Sequence, residues 1–167
     1  IQKTKGEYIF LSDQDDIWVD TKVSETMKYL KSYDLVISDC TLIDEKENII
    51  NHSYFKLINS RKGIITNIIK NSYLGCCMAF RKNLLHNILP FPKNLYFHDI
   101  WIGLIAEIHG NVLFLNKQLV LYRRHPDTLT SAGWKSRNSL LFKIKIRLIL
   151  FWGITKRYFL FYIRGLC

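Results

Sequence analysis

Short apolar runs alternate with amphipathic segments along the chain, a pattern that predicts an α/β fold. The run Tyr8–Leu11 is typical of a buried strand in a parallel sheet, because such strands are covered on both faces. A second buried strand is expected at Leu35–Ile37 and a compact third one at Gly75–Phe80. Two further short strands are expected later in the chain, over Val112–Leu115 and Leu119–Tyr122.

Segments with the spacing of amphipathic helices lie between these apolar runs. Asp20 is the expected N-cap of an amphipathic helix over Thr21–Tyr33, and Ser53–Lys62 is expected to be irregular and exposed. Pro90 and Pro92 would stop one of the later helices, and Gly110 would follow another. These later helices are predicted over Ile64–Lys70, Arg81–Leu89 and Asp99–His109.

Three aspartates follow the first predicted strand, in the stretch LSDQDDIW at Leu11–Trp18. Open α/β sheets bind their ligands beyond the carboxyl ends of their strands. Asp13, Asp15 and Asp16 would repel one another unless a cation or several hydrogen-bond donors offset their charge. Mg²⁺ is a natural partner, because proteins hold it with one or two carboxylates and substrate phosphates. The alternative is a solvated acidic turn that caps the next helix.

Composition narrows the class of protein. The chain has 167 residues, of which 49% are hydrophobic, so a globular core is expected. The formal net charge of +10 favours an anionic partner, such as a phosphorylated substrate, a nucleic acid or a membrane surface. The four cysteines form no CxxC pair, which indicates reduced thiols and a cytosolic context.

The C-terminal segment Leu140–Cys167 differs from the rest, since it carries six cationic side chains, seven aromatic ones and no acid. Its longest charge-free run, Leu148–Thr155, is too short to span a bilayer. Basic, aromatic-rich helices favour the membrane interface, so we expect contact with an anionic membrane surface. A helix packed against the domain is the alternative.

Four motifs occur in a fixed order: LSDQDDIW, GCCMAF, FHDIWIGLIA and LYRRHPDTLTSAG. Over roughly Gly6–Gly133 the chain resembles family 2 glycosyltransferases, in particular the rhamnosyltransferase-like branch. The resemblance implies a partial GT-A fold, with a mixed, mainly parallel central sheet flanked by helices and a C-terminal helical tail. It divides the chain into a catalytic domain at 1–139 and a basic tail at 140–167. It further implies an N-terminally truncated fragment and leaves open whether that fragment alone is active.

The resemblance also implies site residues. Asp15 would bind Mg²⁺ or Mn²⁺, while Asp13 and Asp16 would contact the donor. Asp99 would be the general base that accepts the proton of the acceptor hydroxyl; an ordinary N-cap is the alternative. His98 stands beside it where the family usually has Glu, as in the HDWW variant of the rhamnosyltransferase-like branch.

Further residues are assigned by the same resemblance. His125 would reach the metal or the diphosphate, although HP replaces the usual HG there. Arg123 and Arg124 would stabilise phosphate charge, with a solvated basic loop as the alternative. Gly75 would leave room for the acceptor. Trp101 would stack on a sugar, although its helical spacing favours core packing; Cys76 and Cys77 are expected to be packing residues.

The resulting hypothesis is metal-assisted, inverting transfer from a dTDP- or UDP-sugar to a polysaccharide or lipid-linked glycan, at the inner face of the cell membrane. An EF-hand starting at Asp13 is excluded, because Trp18 and Ser24 occupy the positions of its Gly and Glu. The downstream motifs of an aspartate-nucleophile phosphatase are not evident. Nucleic-acid binding is disfavoured because the central motif is acidic. A non-catalytic membrane-associated binding protein remains the alternative.

Overall fold

A six-stranded mixed sheet forms the centre of the chain in a computed structural model that describes residues 1–124 and 139–164, with side chains to residue 159. The order along the sheet is β1-β5-β3-β6-β2, and β4 pairs with β3 outside that path. The strands are β1 (Tyr8–Phe10), β2 (Ile17–Trp18), β3 (Leu35–Ile43), β4 (Ile49–Asn51), β5 (Met78–Arg81) and β6 (Val112–Arg123).

Helices cover the sheet. They are α1 (Lys22–Leu30), α2 (Tyr54–Ile58), α3 (Ile64–Ile69), α4 (Leu85–Ile88), α5 (His98–His109) and α6 (Leu140–Arg164). Two 3₁₀ turns, Gly75–Cys77 and Lys82–Leu84, precede β5 and α4. The expected mixed α/β architecture with a C-terminal helix is confirmed.

The central strand β3 is buried at all nine positions, which explains why its apolar start was visible in the sequence. It pairs in parallel with β6, from Leu35 opposite Val112 to Ile43 opposite Arg123, with register shifts around Asp39. The two short strands predicted here are therefore one bulged strand. The sequence hides this continuity because Asn116–Gln118 are polar and exposed in the middle of β6.

The first strand was expected in a parallel, doubly covered position, and that expectation is wrong. β1 lies at the end of the strand order and runs antiparallel to β5, and Ile9 is its one buried residue. Among the described residues, β3 and β6 form the single parallel pair, whereas four pairs are antiparallel. The sheet is therefore mixed but not mainly parallel.

Two helix starts differ from expectation. Thr21, not Asp20, occupies the N-cap of α1, and it makes no side-chain capping bond. The stretch Ser53–Lys62 is not irregular, because Ser53 caps α2 by accepting a hydrogen bond from the backbone N–H of Lys56. Tyr54 and Ile58 of α2 are buried, so this helix packs against the sheet beside β3.

The remaining predicted helices are close to those observed. The helix expected at Ile64–Lys70 is α3, and the one expected at Asp99–His109 is α5, which begins one residue earlier. The segment Arg81–Leu89 is divided into the 3₁₀ turn Lys82–Leu84 and the short α4. α5 buries seven consecutive residues and so forms the main apolar support of the sheet.

α6 packs on the domain through one side. The Arg147 guanidinium donates to the carbonyls of Ile68 and Ile69 at 3.2 and 2.9 Å, beside α3. Arg157 donates to the carbonyls of Leu89 and Pro90 at 2.8 and 2.7 Å. No helix in the described ranges is both long enough and apolar enough to cross a membrane.

The contact between α5 and Tyr73 gives the first prediction. A Cβ at Gly103 would lie 2.5–2.6 Å from carbons of the Tyr73 ring, and the Tyr73 hydroxyl donates to Glu107 at 2.7 Å, which restrains the ring. Gly103→Ala should therefore lower the free energy of unfolding by about 1–3 kcal/mol, as overpacking does. In the matched control Gly6→Ala, the new Cβ meets the Tyr8 carbonyl oxygen at an ordinary 3.5 Å. Equal urea midpoints for the two variants would contradict this packing.

Candidate active site

The three aspartates lie on the loop that joins β1 to β2. Leu11 fixes the start of this loop, since its backbone N–H donates to the Met78 carbonyl at 3.0 Å. Asp13 is exposed, whereas Asp15 and Asp16 are partly buried. The loop ends where β2 pairs with the last part of β6, so the acids are held beside the end of β6.

Arg123, at the end of β6, fastens this loop. Its backbone N–H donates to Asp16 Oδ1 at 2.9 Å, and its Nε donates to the Asp15 carbonyl at 3.0 Å. Its terminal nitrogens reach the carbonyls of Asp44 and Glu45 and the Glu47 carboxylate, at 3.0–3.4 Å. The guanidinium thus contacts protein acceptors in this structure, and its predicted contact with phosphate stays a prediction.

A group of three side chains could hold a cation. Asp13, Asp16 and Cys76 each offer one ligand atom, and these atoms all lie within 4.8 Å of one another. Asp16 Oδ2 is buried and accepts no well-formed hydrogen bond among the described residues. A bound cation would give this oxygen a partner. The two carboxylates suit hard divalent ions such as Mg²⁺ and Mn²⁺, whereas a thiolate ligand favours softer ions such as Zn²⁺.

This group differs from the predicted metal ligands. Asp15 is not one of its members, so its assignment as the ligand stays a prediction. His125 lies outside the described residues. Cys76 was expected to be a packing residue, and it is fully buried; its place beside two carboxylates comes from the 3₁₀ turn Gly75–Cys77, which no sequence pattern reveals.

Two acids of the loop, Asp13 and Asp16, have a raised pKa. Loss of solvent raises the pKa of Asp13, the neighbouring Asp15 raises it further, and His98 opposes the shift. Loss of solvent also raises the pKa of Asp16, against the opposing effects of the Cys76 thiol and the Arg123 N–H. The ionised loop therefore costs stability, which a bound cation would restore.

Asp99 lies in the first turn of α5 and faces the same loop. Burial raises its pKa, and Asp13 contributes to the rise, whereas the Ile100 N–H and His98 oppose it. Its Oδ1 accepts the Ile100 N–H at 2.8 Å. Phe97 occupies the N-cap of α5, so Asp99 is not the capping residue.

Gly75 brings the two halves of the site together. A Cβ built on Gly75 would lie 3.6 Å from His98 Nε2 and 3.7 Å from Asp99 Cβ. The turn that carries Cys76 therefore runs directly beside the start of α5. The structure thus places Gly75, His98 and Asp99 next to the turn that carries Cys76, and their predicted roles toward the acceptor stay predictions.

Trp101 and Arg124 have other surroundings. Trp101 is 1% exposed and its Nε1 donates to the Ile88 carbonyl at 2.9 Å, so the ring packs in the core and does not face a sugar. This corrects its assignment to the acceptor. Arg124 continues from β6, and its backbone N–H donates to the Ile43 carbonyl at 2.9 Å.

Lys22 is a site residue that the sequence analysis missed. Its side chain is 1% exposed, its Nζ donates to the Cys76 carbonyl at 2.6 Å, and it lies 3.9 Å from the Trp18 ring centroid. Burial lowers its pKa, while Cys77, Cys76 and Asp16 oppose that shift. The helical pattern placed Lys22 on the polar side of α1, and no local signal marks it as buried.

Comparison with known families gives one finding. A family model described as "Glycosyl transferase family 2" matches residues 1–89, slightly more than half of the chain. The match includes the acidic loop and the turn with Cys76. The comparison with curated proteins gave no match.

The raised pKa of Asp13 predicts a stability effect. A group whose pKa is higher in the folded state loses its stabilising contribution as pH rises through that pKa. Asp13→Asn should therefore raise the melting temperature at pH 7, and the gain should disappear as pH falls well below the ordinary aspartate pKa of about 4, where both states are protonated. Asp20→Asn, an exposed position near the loop, is the matched control. A lower melting temperature for Asp13→Asn at pH 7 would show that its charge does not oppose folding.

Proposed function

The chain belongs to glycosyl transferase family 2. From this premise we propose that it transfers a sugar from a nucleotide-diphosphate donor to a glycan or lipid-linked acceptor, with inversion of configuration at the anomeric carbon. The carrying observation is that Asp99 lies beside the group formed by Asp13, Asp16 and Cys76. Inverting transfer needs a base on the acceptor side and charge screening on the donor side, and this arrangement offers both.

Asp13, Asp16 and Cys76 would hold a divalent cation, Mn²⁺ or Mg²⁺. When bound, the cation would screen the negative charge that develops on the departing diphosphate. Lys22 adds a fixed positive charge beneath the same turn, next to the Cys76 carbonyl. Asp15 and His125 were also predicted as ligands, and the Mn²⁺ titration below tests Asp15.

Asp99 would accept the proton of the attacking hydroxyl. Its raised pKa makes the ionised carboxylate a better proton acceptor than an ordinary aspartate. Gly75 keeps the space over Asp99 and His98 free of a side chain, which supports an acceptor site there. His98 lowers the pKa of Asp99 and so keeps a useful fraction of the base ionised.

The finer specificity rests on motif resemblance. The HDIW and YRRH motifs support a donor of the dTDP- or UDP-sugar type and rhamnosyl or hexosyl transfer. Arg124, beside the end of β6, remains a candidate for donor contact. The basic, aromatic α6 supports peripheral attachment at the cytoplasmic face of the cell membrane, near a lipid-linked acceptor.

The base assignment predicts a kinetic loss. In the longest open reading frame that contains these residues, Asp99→Asn should slow transfer by about 10²–10⁴ without changing donor affinity. In the parent protein the rate should fall as pH drops through the raised pKa of Asp99, above the ordinary value of about 4. Asp20→Asn is the control. A full rate in Asp99→Asn, or an unchanged acidic limb, would remove Asp99 from this role.

The cation assignment predicts a pattern of binding. Electron paramagnetic resonance titration of Mn²⁺ should show affinity lowered by at least about tenfold in Asp16→Asn and Cys76→Ala. Asp20→Asn should bind as the parent chain does. A loss confined to Asp15→Asn would instead assign the cation to Asp15 and contradict the observed grouping.

A further inference from the structure

A wide apolar groove separates α6 from the segment that precedes α5. Its volume is about 1000 Å³. Leu141, Ile144, Leu148 and Trp152 line it from α6, and Pro92 and Trp101 line it from the other side. The bonds from Arg157 to the Leu89 and Pro90 carbonyls tie the two walls together, so the groove is part of the folded arrangement.

The polar residues of this groove have one sign of charge. Lys93, Lys145, Lys156 and Arg157 line it, and none of its lining residues is acidic. Lys145 lies near Tyr96, with its Nζ 3.4 Å from the hydroxyl and 5.7 Å from the ring centroid. An occupant that matches these walls has an apolar body and an anionic end.

A second copy of this chain fits poorly. It would bring another surface of the same sign, since α6 and the residues after it carry six cations and no acid, and the whole chain carries +10. A bilayer supplies the complementary chemistry. α6 also exposes large apolar residues, both in the groove (Trp152, 70% exposed) and outside it (Phe151, 58% exposed), as in helices that lie in the membrane interface.

We propose that this groove binds the hydrocarbon chain of an anionic bilayer lipid, with the lipid headgroup held by Lys93 and Lys156. The proposal rests on the membrane attachment suggested above and goes beyond it. Attachment alone requires α6 to lie on the surface, whereas the groove takes one lipid chain between α6 and the domain. The lipid would fix α6, and with it α5 and Asp99, relative to the membrane.

Two positions on α6 distinguish binding of a lipid chain in the groove from attachment of α6 to the membrane surface. Leu148 lines the groove, whereas Phe151, one turn further on, does not, although the two are similarly exposed at 53% and 58%. Leu148→Glu places a charge in the groove, and Phe151→Glu places one outside the groove on the same helix. Circular dichroism melting should first show that both variants fold.

The test uses lysophosphatidylglycerol below its micelle concentration, measured by titration calorimetry, beside flotation with phosphatidylglycerol-containing vesicles. The parent chain should bind one lysolipid per chain, Leu148→Glu should lose about tenfold in affinity, and Phe151→Glu should bind as the parent does while floating less well. Lysophosphatidylcholine should bind more weakly than the anionic lysolipid.

Three results would overturn the proposal. These are the absence of saturable lysolipid binding, equal losses in the two variants, and equal affinity for the zwitterionic lysolipid. Flotation of a parent chain that binds no lysolipid would leave surface attachment intact and remove the groove site. Saturable lysolipid binding without flotation would leave the groove site intact and remove surface attachment.

Discussion

The contacts of Arg123 are the constraint on which the active site depends. One residue at the end of β6 holds the backbone and one carboxylate of the acidic loop, and its guanidinium also reaches the turn after β3. Three neighbouring acids would otherwise push this loop away from the domain. Because β6 is the parallel partner of the fully buried β3, the loop is fixed to the centre of the sheet.

Asp39 and Asp16 differ in how completely the fold bonds their carboxylates. Asp39 is 0% exposed and accepts bonds from the Cys40 and Phe55 N–H groups, the Ser53 hydroxyl and the Gln118 amide, at 2.6–2.9 Å. Each of its two carboxylate oxygens accepts two of these bonds, which join α2 to the bulge of β6. Asp16, by contrast, keeps one buried oxygen without a well-formed bond. The acid that remains under-bonded is the one beside Asp13 and Cys76, where a cation would supply the missing partner.

The sequence predicts most strongly what is local. The buried start of β3 and the helix α5 follow from apolar runs, and the grouping of Asp13 with Asp16 follows from their spacing. The continuity of β6, the cap at Ser53 and the buried Lys22 depend on contacts between distant parts of the chain. The same holds for Cys76, which is distant in sequence from Asp13 and Asp16 and is brought beside them by the fold. Trp101 was therefore assigned wrongly and Lys22 and Cys76 were missed, while the roles of the other predicted site residues stay predictions.

The most direct test of this account is release of nucleoside diphosphate from a panel of dTDP- and UDP-sugars in the presence of a glycan acceptor. It would be measured in the longest open reading frame that contains the chain, with and without a chelator. The account predicts cation-dependent release that falls to background when Asp13 and Asp16 are both replaced by Asn. Release at the parent rate in that double variant, or in excess chelator, would contradict a cation-assisted transferase built on this loop.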